Sequence, residues 1–321
     1  MGLSNIFQQK IKIHRPKFWQ VLFVISLPIS ILTITGFFGQ ISWVFEITSH
    51  FRVQYFFILI IFTIFFFLGK QKKLAFYSVV FALINLILIW PYWFTSKTPY
   101  IDKLGIKALL INLDITNFSH EKVSSLIVQS HSDIIILEEF DKKWKSKLGK
   151  TLEKFPYSVV SPWNNGWAIG LFSRLPLNKA KLGRLGKSPI PYVMAEFEWQ
   201  EKSYTLLGAH LQDPMTEVRA DVRNRQLSSL ADIIKDLKKP IILLGDLNIS
   251  LWSPYFQLFI KKTDLKEARL GWGLYPTWPT NFFPLQIPID HGLVSKGVGV
   301  HSFSLGPDIG SDHFPIIIQF S

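Results

Sequence analysis

The chain has 321 residues and a composition unusual for a soluble protein, with 48% hydrophobic, 15% aromatic and only 18% charged residues. The absence of cysteine excludes disulfides, thiolate metal sites and a cysteine nucleophile. The formal net charge of +12 favours an anionic substrate or membrane surface, although a basic run such as residues 142–150 is more often a solvated helix face.

Three apolar runs occupy the first third of the chain: Phe18–Phe38, Val53–Leu68 and Leu74–Phe94. A helix needs roughly 17–25 residues to cross a bilayer, and the second run is near that lower limit. Read as buried helices of a soluble protein, the runs would be apolar on every face. We therefore predict a cytoplasmic basic N-terminus (1–17), a membrane anchor with three transmembrane helices (18–96), a linker (97–106) and a globular domain (107–321).

Basic residues beside the runs predict the orientation of the anchor, because cytoplasmic flanks are rich in Lys and Arg. Those that precede the first run or fill the turn after the second are Lys10, Lys12, Arg15, Lys17, Lys70, Lys72 and Lys73. Arg52 is the only Lys or Arg in the loop after the first run. Lys97, Lys103 and Lys107 follow the third run and weaken the bias. We expect a multi-pass integral protein of the plasma or inner membrane, with a cytoplasmic N-terminus and an extracytoplasmic domain. An aromatic belt is expected on the outer side at Trp43, Trp90, Tyr92 and Trp93.

Short β-rich runs alternate with helical patterns over the rest of the chain. The predicted strands are Lys107–Asn112, Asp133–Leu137, Trp167–Ser173, Val193–Trp199, Ser203–His210, Pro240–Gly245, Asp290–Val294, Val298–Leu305 and Pro315–Phe320. The predicted helices are His120–Ser130, Lys142–Leu152, Val218–Leu237 and Ser253–Lys261. Because strands outnumber helices and several form hairpins, the pattern favours mixed sheets covered by helices over one parallel sheet.

Polar residues able to bind a metal or a phosphate repeatedly follow the predicted strands. They are Asn112, Glu138, Glu139, His210, Asp246, Asn248, Asp290 and the triplet Ser311–His313. Any one of these residues alone is more often a turn or helix cap. Together, however, strand ends that share one edge of a sheet form a single cleft. Hard oxygen ligands without cysteine suit Mg²⁺, Mn²⁺ or Ca²⁺, and no G-x-S-x-G motif is present. Such a site suits phosphoester hydrolysis.

These motifs resemble, in order, those of the endonuclease/exonuclease/phosphatase family, which has the deoxyribonuclease-I-like fold. The matching segments are Asn112, DIIILEE at 133–139, GWAIGLFSR at 166–174, HL at 210–211, Arg223 and Gln226, GDLN at 245–248, TWP at 277–279, IDH at 289–291 and SDHFP at 311–315. The chain is similar to a membrane-anchored, bacterial-type member. The resemblance implies an α/β (α+β) fold, a four-layer sandwich of two mixed β-sheets flanked by helices, here preceded by three transmembrane helices.

The resemblance also implies a divalent cation, Mg²⁺ or Mn²⁺. Its ligands would be Glu139, Asn112 and Asp312. The usual Gln before the metal-binding Glu is here Glu138, and strand alternation predicts that these adjacent acids point to opposite faces.

The resemblance assigns catalytic roles to Asp246, Asn248, His210, His313 and Asp290. Asp246 would orient or deprotonate the attacking water, while Asn248 would hold the phosphate. His313 would contact a phosphoryl oxygen, and Asp290 would keep it protonated. His210 would supply a second positive group near the leaving oxygen.

Other polar and aromatic residues have less defined roles. Asn117 lines the cleft or caps a turn, and His291 should point away from the site. Arg223 and Gln226 are expected to fix their helix rather than touch substrate. An aromatic rim for substrate, or simply buried side chains, is predicted at Trp163, Trp167, Trp278 and Phe314.

The predicted function is hydrolysis of a phosphodiester, nuclease-type, by a membrane-anchored metal-dependent phosphoesterase. The expected partners are a nucleic acid or lipid headgroup and the lipid bilayer, with no obligate protein partner. The alternatives are a lipid (sphingomyelin-like) phosphodiesterase or phosphatase and, in another class, a non-catalytic membrane scaffold. A transporter is disfavoured because the apolar runs contain no intramembrane charge pair.

Overall fold

The computed structural model describes residues 18–97, 105–162, 166–238 and 240–321. The predicted N-terminal basic segment, most of the predicted linker, Lys103 and Trp163 lie outside these residues. We call residues 18–97 the anchor and residues 105–321 the globular domain.

Three long helices of the anchor match the predicted apolar runs: α1 (Phe18–Thr35), α3 (Arg52–Leu68) and α4 (Lys72–Ile89). The segments long and apolar enough to cross a membrane are Phe18–Phe38, Trp43–Leu68 and Lys72–Ile89, and each contains one of these helices. At 1.5 Å per residue the three helices extend about 26–27 Å, against a hydrocarbon core of about 30 Å. Their outer surfaces expose Phe, Ile, Leu and Val side chains, while small polar residues lie inside. Asn85, for example, donates to Thr33 Oγ1 between two helices at 3.0 Å. This inside-out distribution is typical of helices packed in lipid.

The anchor also contains two short helices that the sequence did not predict: α2 (Trp43–Thr48) lies between α1 and α3, and α5 (Pro91–Phe94) follows α4. The third apolar run was predicted as one helix to Phe94, but α4 ends at Ile89, and Pro91, which has no N–H for a helical hydrogen bond, begins α5. Two residues of the expected aromatic belt contact the globular domain instead. Trp43 donates to the Pro214 carbonyl at 2.8 Å, and the Tyr92 ring meets Trp252 with 6.3 Å between centroids.

The strands of the globular domain, in chain order, are β1 (Ile106–Asn112), β2 (Ile134–Glu138), β3 (Tyr157–Val160), β4 (Ile169–Ser173), β5 (Asn178–Arg184), β6 (Pro191–Trp199), β7 (Lys202–Ala209), β8 (Ile241–Asp246), β9 (Leu265–Glu267), β10 (Asp290–Ser295), β11 (Val300–Leu305) and β12 (Ile316–Phe320). They form two sheets, in the orders β11-β12-β1-β2-β4-β3 and β5-β6-β7-β8-β10-β9. The pairs β1–β2 and β7–β8 are parallel and the other pairs are antiparallel. Both sheets are therefore mixed.

The helices of the domain are α6 (His120–Gln129), α7 (Lys142–Leu152), α8 (Glu217–Lys235) and α9 (Pro254–Thr263). One apolar core joins the inner faces of the two sheets. A second core packs α6 and α7 on the outside of the first sheet. A third packs α8 and α9 on the outside of the second sheet and also includes Ile89 and Tyr92 of the anchor. The predicted four-layer sandwich is confirmed.

Three strands were not predicted, and all three lie at sheet edges: β3, β5 and β9. The longest of them, NKAKLGR, is mostly exposed and has no apolar alternation. Edge strands often carry charged residues because these discourage pairing with other chains. The hydrophobic pattern therefore identified the inner strands, which position the site, and missed three of the four edge strands.

Candidate active site

The polar strand ends meet at one end of the sandwich, around a cavity of about 600 Å³. Asn112 ends β1, and His210 follows β7. Asp246 ends β8 and pairs in register with Asp290, because β10 begins where its antiparallel partner β8 ends. The predicted site residues that line the cavity are Asn112, Glu139, His210, Asp246, Asn248, Asp312 and His313. The two sheets thus bring distant segments to one place, as the strand-end argument predicts.

Asp246 is the centre of the cluster and is 1% exposed. Its Oδ2 lies 3.3 Å from the side-chain nitrogen of Asn112 and 3.3 Å from that of Asn248. The Nε2 atoms of His210 and His313 both lie 3.6 Å from the same oxygen. Burial, followed by the nearby Asp290 carboxylate, raises the pKa of Asp246. A cation next to this aspartate would favour its ionised form.

His313 forms a buried pair with Asp290, with 2.8 Å between Nδ1 and Oδ2. Burial alone would lower the pKa of His313, but Asp290 and Asp246 outweigh it and raise the pKa to about 10. In turn, His313 keeps the pKa of Asp290 below its usual value despite burial. Thr277 helps to hold Asp290, since its hydroxyl accepts the Asp290 N–H at 3.2 Å. The pair holds one proton on His313 and directs Nε2 towards Asp246.

His210 lies in a different electrostatic environment. Burial and the neighbouring His313 lower the pKa of His210 to about 3. Among the described residues its Nδ1 has no hydrogen-bond partner, and its ring packs against Trp167 with 4.7 Å between centroids. The lowered pKa favours a neutral His210 imidazole, whereas the resemblance implied a second positive group at this position. A neutral imidazole still donates a hydrogen bond from one nitrogen.

The adjacent acids Glu138 and Glu139 separate as predicted, although Glu139 lies just after the strand, so alternation within the strand is not the cause. Glu138 is fully buried, and its carboxylate accepts the Asp246 N–H at 3.1 Å, which links the two sheets. Burial and then Asp246 raise the pKa of Glu138. Glu139 has left the strand, with φ of 56°, and its carboxylate accepts the Ile115 N–H at 3.0 Å beside the cavity. An acidic residue rarely adopts this backbone region without a local reason.

The donor set at the cavity fits a hard divalent cation. Glu139, Asn112 and Asp312 present carboxylate and amide oxygens, which Mg²⁺ and Mn²⁺ prefer. Burial raises the pKa of Glu139, and none of the described residues that line the cavity is Lys or Arg. Several carboxylates therefore lack a compensating charge that a cation would supply.

A second group of ligand atoms, from Asp246, Asp290 and His313, lies within 4.8 Å. We favour the first set, because the His313 Nδ1 that faces Asp290 holds the proton of their hydrogen bond. Asp312 is the most exposed of the first set, and its Oδ2 accepts from the Trp278 indole at 3.0 Å.

The remaining predicted residues have structural contacts. Asn117 bridges the carbonyls of Leu113 and Ile309 at 3.2 Å each. His291 lies on the opposite face from Asp290 and bonds to Glu267 at 2.9 Å. Gln226 accepts the Gln212 N–H at 2.8 Å, fixing α8. Trp167 and Trp278 line the cavity, whereas Phe314 does not.

Residues of the anchor that the sequence did not assign to the site also line the cavity. They are Trp43, Ile47, His50 and Phe51. No catalytic or ligand-binding motif marks them in the sequence. The one available signal is Glu46, the only acidic residue among the first 101. An isolated acid in an apolar stretch indicates a specific partner.

The model of the endonuclease/exonuclease/phosphatase family matches residues 111–313, more than half of the chain. The chain belongs to this family. The match begins after the three apolar helices, so the anchor is additional to the part that defines the family. A comparison with curated proteins gave no match.

Solved structures agree with this membership at the level of fold. D. rerio TDP2 complexed with a single-strand DNA product is 16% identical, with a TM-score of 0.57, covering 68% of this chain and 99% of that one. The endonuclease/exonuclease/phosphatase from Beutenbergia cavernae is 15% identical, with a TM-score of 0.54 and coverages of 67% and 71%. A beta toxin from Staphylococcus aureus is 19% identical, with a TM-score of 0.50 and coverages of 66% and 99%.

Proposed function

We propose that the protein is a membrane-anchored phosphoesterase that hydrolyses a phosphodiester with an activated water and requires Mg²⁺ or Mn²⁺. One observation carries this proposal: Asp246 is surrounded by Asn112, Asn248, His210 and His313 at the edge of a cavity. Membership of a family of phosphoester hydrolases supports it. Any phosphodiester that can enter the cavity would be a substrate.

In this proposal Asp246 accepts a proton from water. Its position supports this role, because Asp246 lines the cavity and its Oδ1 accepts the Asn248 N–H at 2.8 Å. The water oxygen then bonds to phosphorus as the ester P–O bond breaks. The leaving oxygen takes a proton from solvent, and Asp246 returns its proton to solvent. These transfers balance without a further reactant.

The other side chains offset the charge that grows on the phosphoryl oxygens. His313 remains protonated through its pairing with Asp290 and donates from Nε2. Asn248 and the neutral His210 add uncharged donors. Glu139, Asn112 and Asp312 would hold the divalent cation, which polarises a phosphoryl oxygen when bound.

A non-catalytic scaffold is the competing function. It is disfavoured because a binding module has no need for a buried Asp–His pair beside a second buried aspartate. Burying such polar and charged groups lowers the stability of the fold, and proteins keep them mainly at functional sites.

The test uses the full chain purified in detergent, assayed on bis(p-nitrophenyl) phosphate with Mg²⁺, Mn²⁺ or EDTA. We expect metal-dependent turnover that falls at least about a hundredfold in Asp246→Asn, because loss of a general base commonly costs 10²–10⁴. Asp232→Asn is the matched control, since the Asp232 side chain is 64% exposed and pairs with Lys262 on the surface. Turnover that survives in Asp246→Asn, or no turnover with any metal, would refute the proposal.

A further inference from the structure

One wall of the active-site cavity belongs to the anchor. Residues 36–51, which we call the anchor loop, connect α1 to α3 and contain α2. Trp43 and Ile47 on α2, and then Phe51, line the same cavity as Asp246 and His313. The globular domain alone therefore does not complete the site.

Specific hydrogen bonds hold this wall in place. The Trp43 indole donates to the Pro214 carbonyl at 2.8 Å. His50 Nδ1 lies 2.7 Å from the Ser250 hydroxyl, two residues after Asn248. Gln54, in the first turn of α3, donates to the Gln286 carbonyl at 2.9 Å. Contacts on both sides of the cavity fix the anchor loop against the domain.

The position of the wall along the anchor places the cavity at the membrane surface. Phe51 lines the cavity, and the next residue, Arg52, begins α3. The second candidate span begins at Trp43, so the wall residues Trp43, Ile47 and Phe51 lie in its first part, near one boundary of the hydrocarbon core. The residues that line the cavity therefore lie close to the depth of the bilayer surface.

Segments of the globular domain close in sequence to these contacts expose apolar side chains. Beside Pro214, Met215 is 67% exposed and Val218 is 73% exposed. Beside Gln286, Phe283 is 81% exposed. Exposed apolar side chains of this size are favoured at the boundary between headgroups and acyl chains.

We propose that the substrate is a membrane lipid with a phosphoester headgroup, which enters the cavity sideways from the bilayer along the anchor loop. Its apolar part lies against Trp43, Ile47 and Phe51, and its phosphate reaches Asp246. This inference rests on the proposed phosphoesterase function and narrows its substrate class. A nucleic acid fits less well, because its backbone requires a basic groove, and the described cavity lining contains no Lys or Arg.

The test compares a lipid and a soluble ester on the same full-length protein. The protein is reconstituted in vesicles of phosphatidylcholine, phosphatidylethanolamine, phosphatidylglycerol, cardiolipin and sphingomyelin, and products are identified by mass spectrometry. Parallel assays use bis(p-nitrophenyl) phosphate and single-stranded DNA. We expect turnover of at least one vesicle lipid, with lipid favoured over DNA.

Substitution of the wall distinguishes a substrate contact from a structural role. Ile47→Asn should lower the ratio of lipid to soluble-ester turnover by about tenfold or more, because one lost apolar contact changes discrimination by that amount. Ile47→Leu should restore the ratio. Val44→Asn is the matched control: Val44 lies on the same helix, is 55% exposed and does not line the cavity.

The outcomes separate the two proposals. Hydrolysis of the soluble ester but of no vesicle lipid, or a preference for DNA, would overturn the lipid inference and leave the phosphoesterase proposal standing. If Ile47→Asn lowered the turnover of the lipid and of the soluble ester equally, the wall would have only a structural role. This result would also overturn the inference. No hydrolysis of either ester would remove the phosphoesterase proposal itself.

Discussion

Arg223 of the globular domain and Glu46 of the anchor form a salt bridge, with 2.6 Å between Nη2 and Oε2 and side chains only 0% and 1% exposed. Ser253 donates a further hydrogen bond to Glu46 at 2.7 Å. Arg223 also donates from Nη1 to the Asn248 carbonyl at 2.6 Å. The loop that contains Asp246 and Asn248 is thus connected to the anchor through one guanidinium.

The first prediction concerns this pair. Glu46→Gln leaves the Arg223 charge buried and unpaired, which should destabilise the protein by about 3–5 kcal/mol. Because Arg223 also positions Asn248, we expect kcat to fall while the requirement for metal is unchanged. Thermal unfolding in detergent and steady-state kinetics with the soluble ester measure the two effects.

The matched control is Asp221→Asn, which breaks an exposed pair with Arg225 one turn further along α8. Exposed pairs of this kind contribute about 0.3–0.5 kcal/mol, so the melting temperature should barely change. The double variant Glu46→Met with Arg223→Met should recover stability but not kcat, since apolar groups can replace a buried ion pair but cannot hold Asn248. An unchanged melting temperature in Glu46→Gln would contradict the docking role.

This connection defines what the sequence could and could not predict. Asn112, Glu139, Asp246 and His313 were identifiable because each follows or precedes a buried apolar strand, where a polar residue stands out. The Arg223–Glu46 contact joins positions 177 residues apart, and neither partner belongs to a periodic pattern. The sequence assigned Arg223 to fixing a helix, but it contained no information about which surface the helix would face.

The Arg223–Glu46 contact also bears on the boundary between the anchor and the globular domain. The sequence predicted an anchor that ends at residue 96 and a globular domain from residue 107. The structure packs Ile89 and Tyr92 of this anchor into the core that surrounds α8 and α9. A fragment that begins after the anchor would expose this core and leave Arg223 unpaired. Hydrophobic periodicity predicts helices well, but it does not predict which helices share a core.

The second prediction separates the adjacent acids. Glu139→Gln removes a carboxylate from the proposed metal set, so the Mg²⁺ concentration for half-maximal activity should rise at least about tenfold, as with other losses around a metal site. Glu138→Gln should have little effect on that concentration, because burial and Asp246 raise the pKa of Glu138, and a glutamine oxygen can still accept the Asp246 N–H. Metal titrations of both variants provide the measurement. Equal shifts in the Mg²⁺ concentration for half-maximal activity would contradict the different positions described for Glu138 and Glu139.

The third prediction is the orientation, for which the absence of cysteine is an advantage, since any introduced cysteine is unique. Lys179→Cys places a thiol on the globular domain, where the native side chain is 76% exposed. Gln71→Cys places one in the turn between α3 and α4 and preserves the neighbouring lysines that are expected to set the topology. A membrane-impermeant maleimide should label Lys179→Cys in intact cells and Gln71→Cys only after permeabilisation.

The anchor geometry makes the two labels opposite in either orientation, because α3 and α4 both separate the turn from the domain. Labelling of Gln71→Cys in intact cells without Lys179→Cys would therefore place the domain in the cytoplasm, and labelling of both would mean that the helices do not span the membrane. The outward result would confine the substrate to phosphoesters of the outer leaflet or beyond. The cavity wall of the anchor loop would then face that leaflet, since the loop and the domain lie at the same end of the anchor.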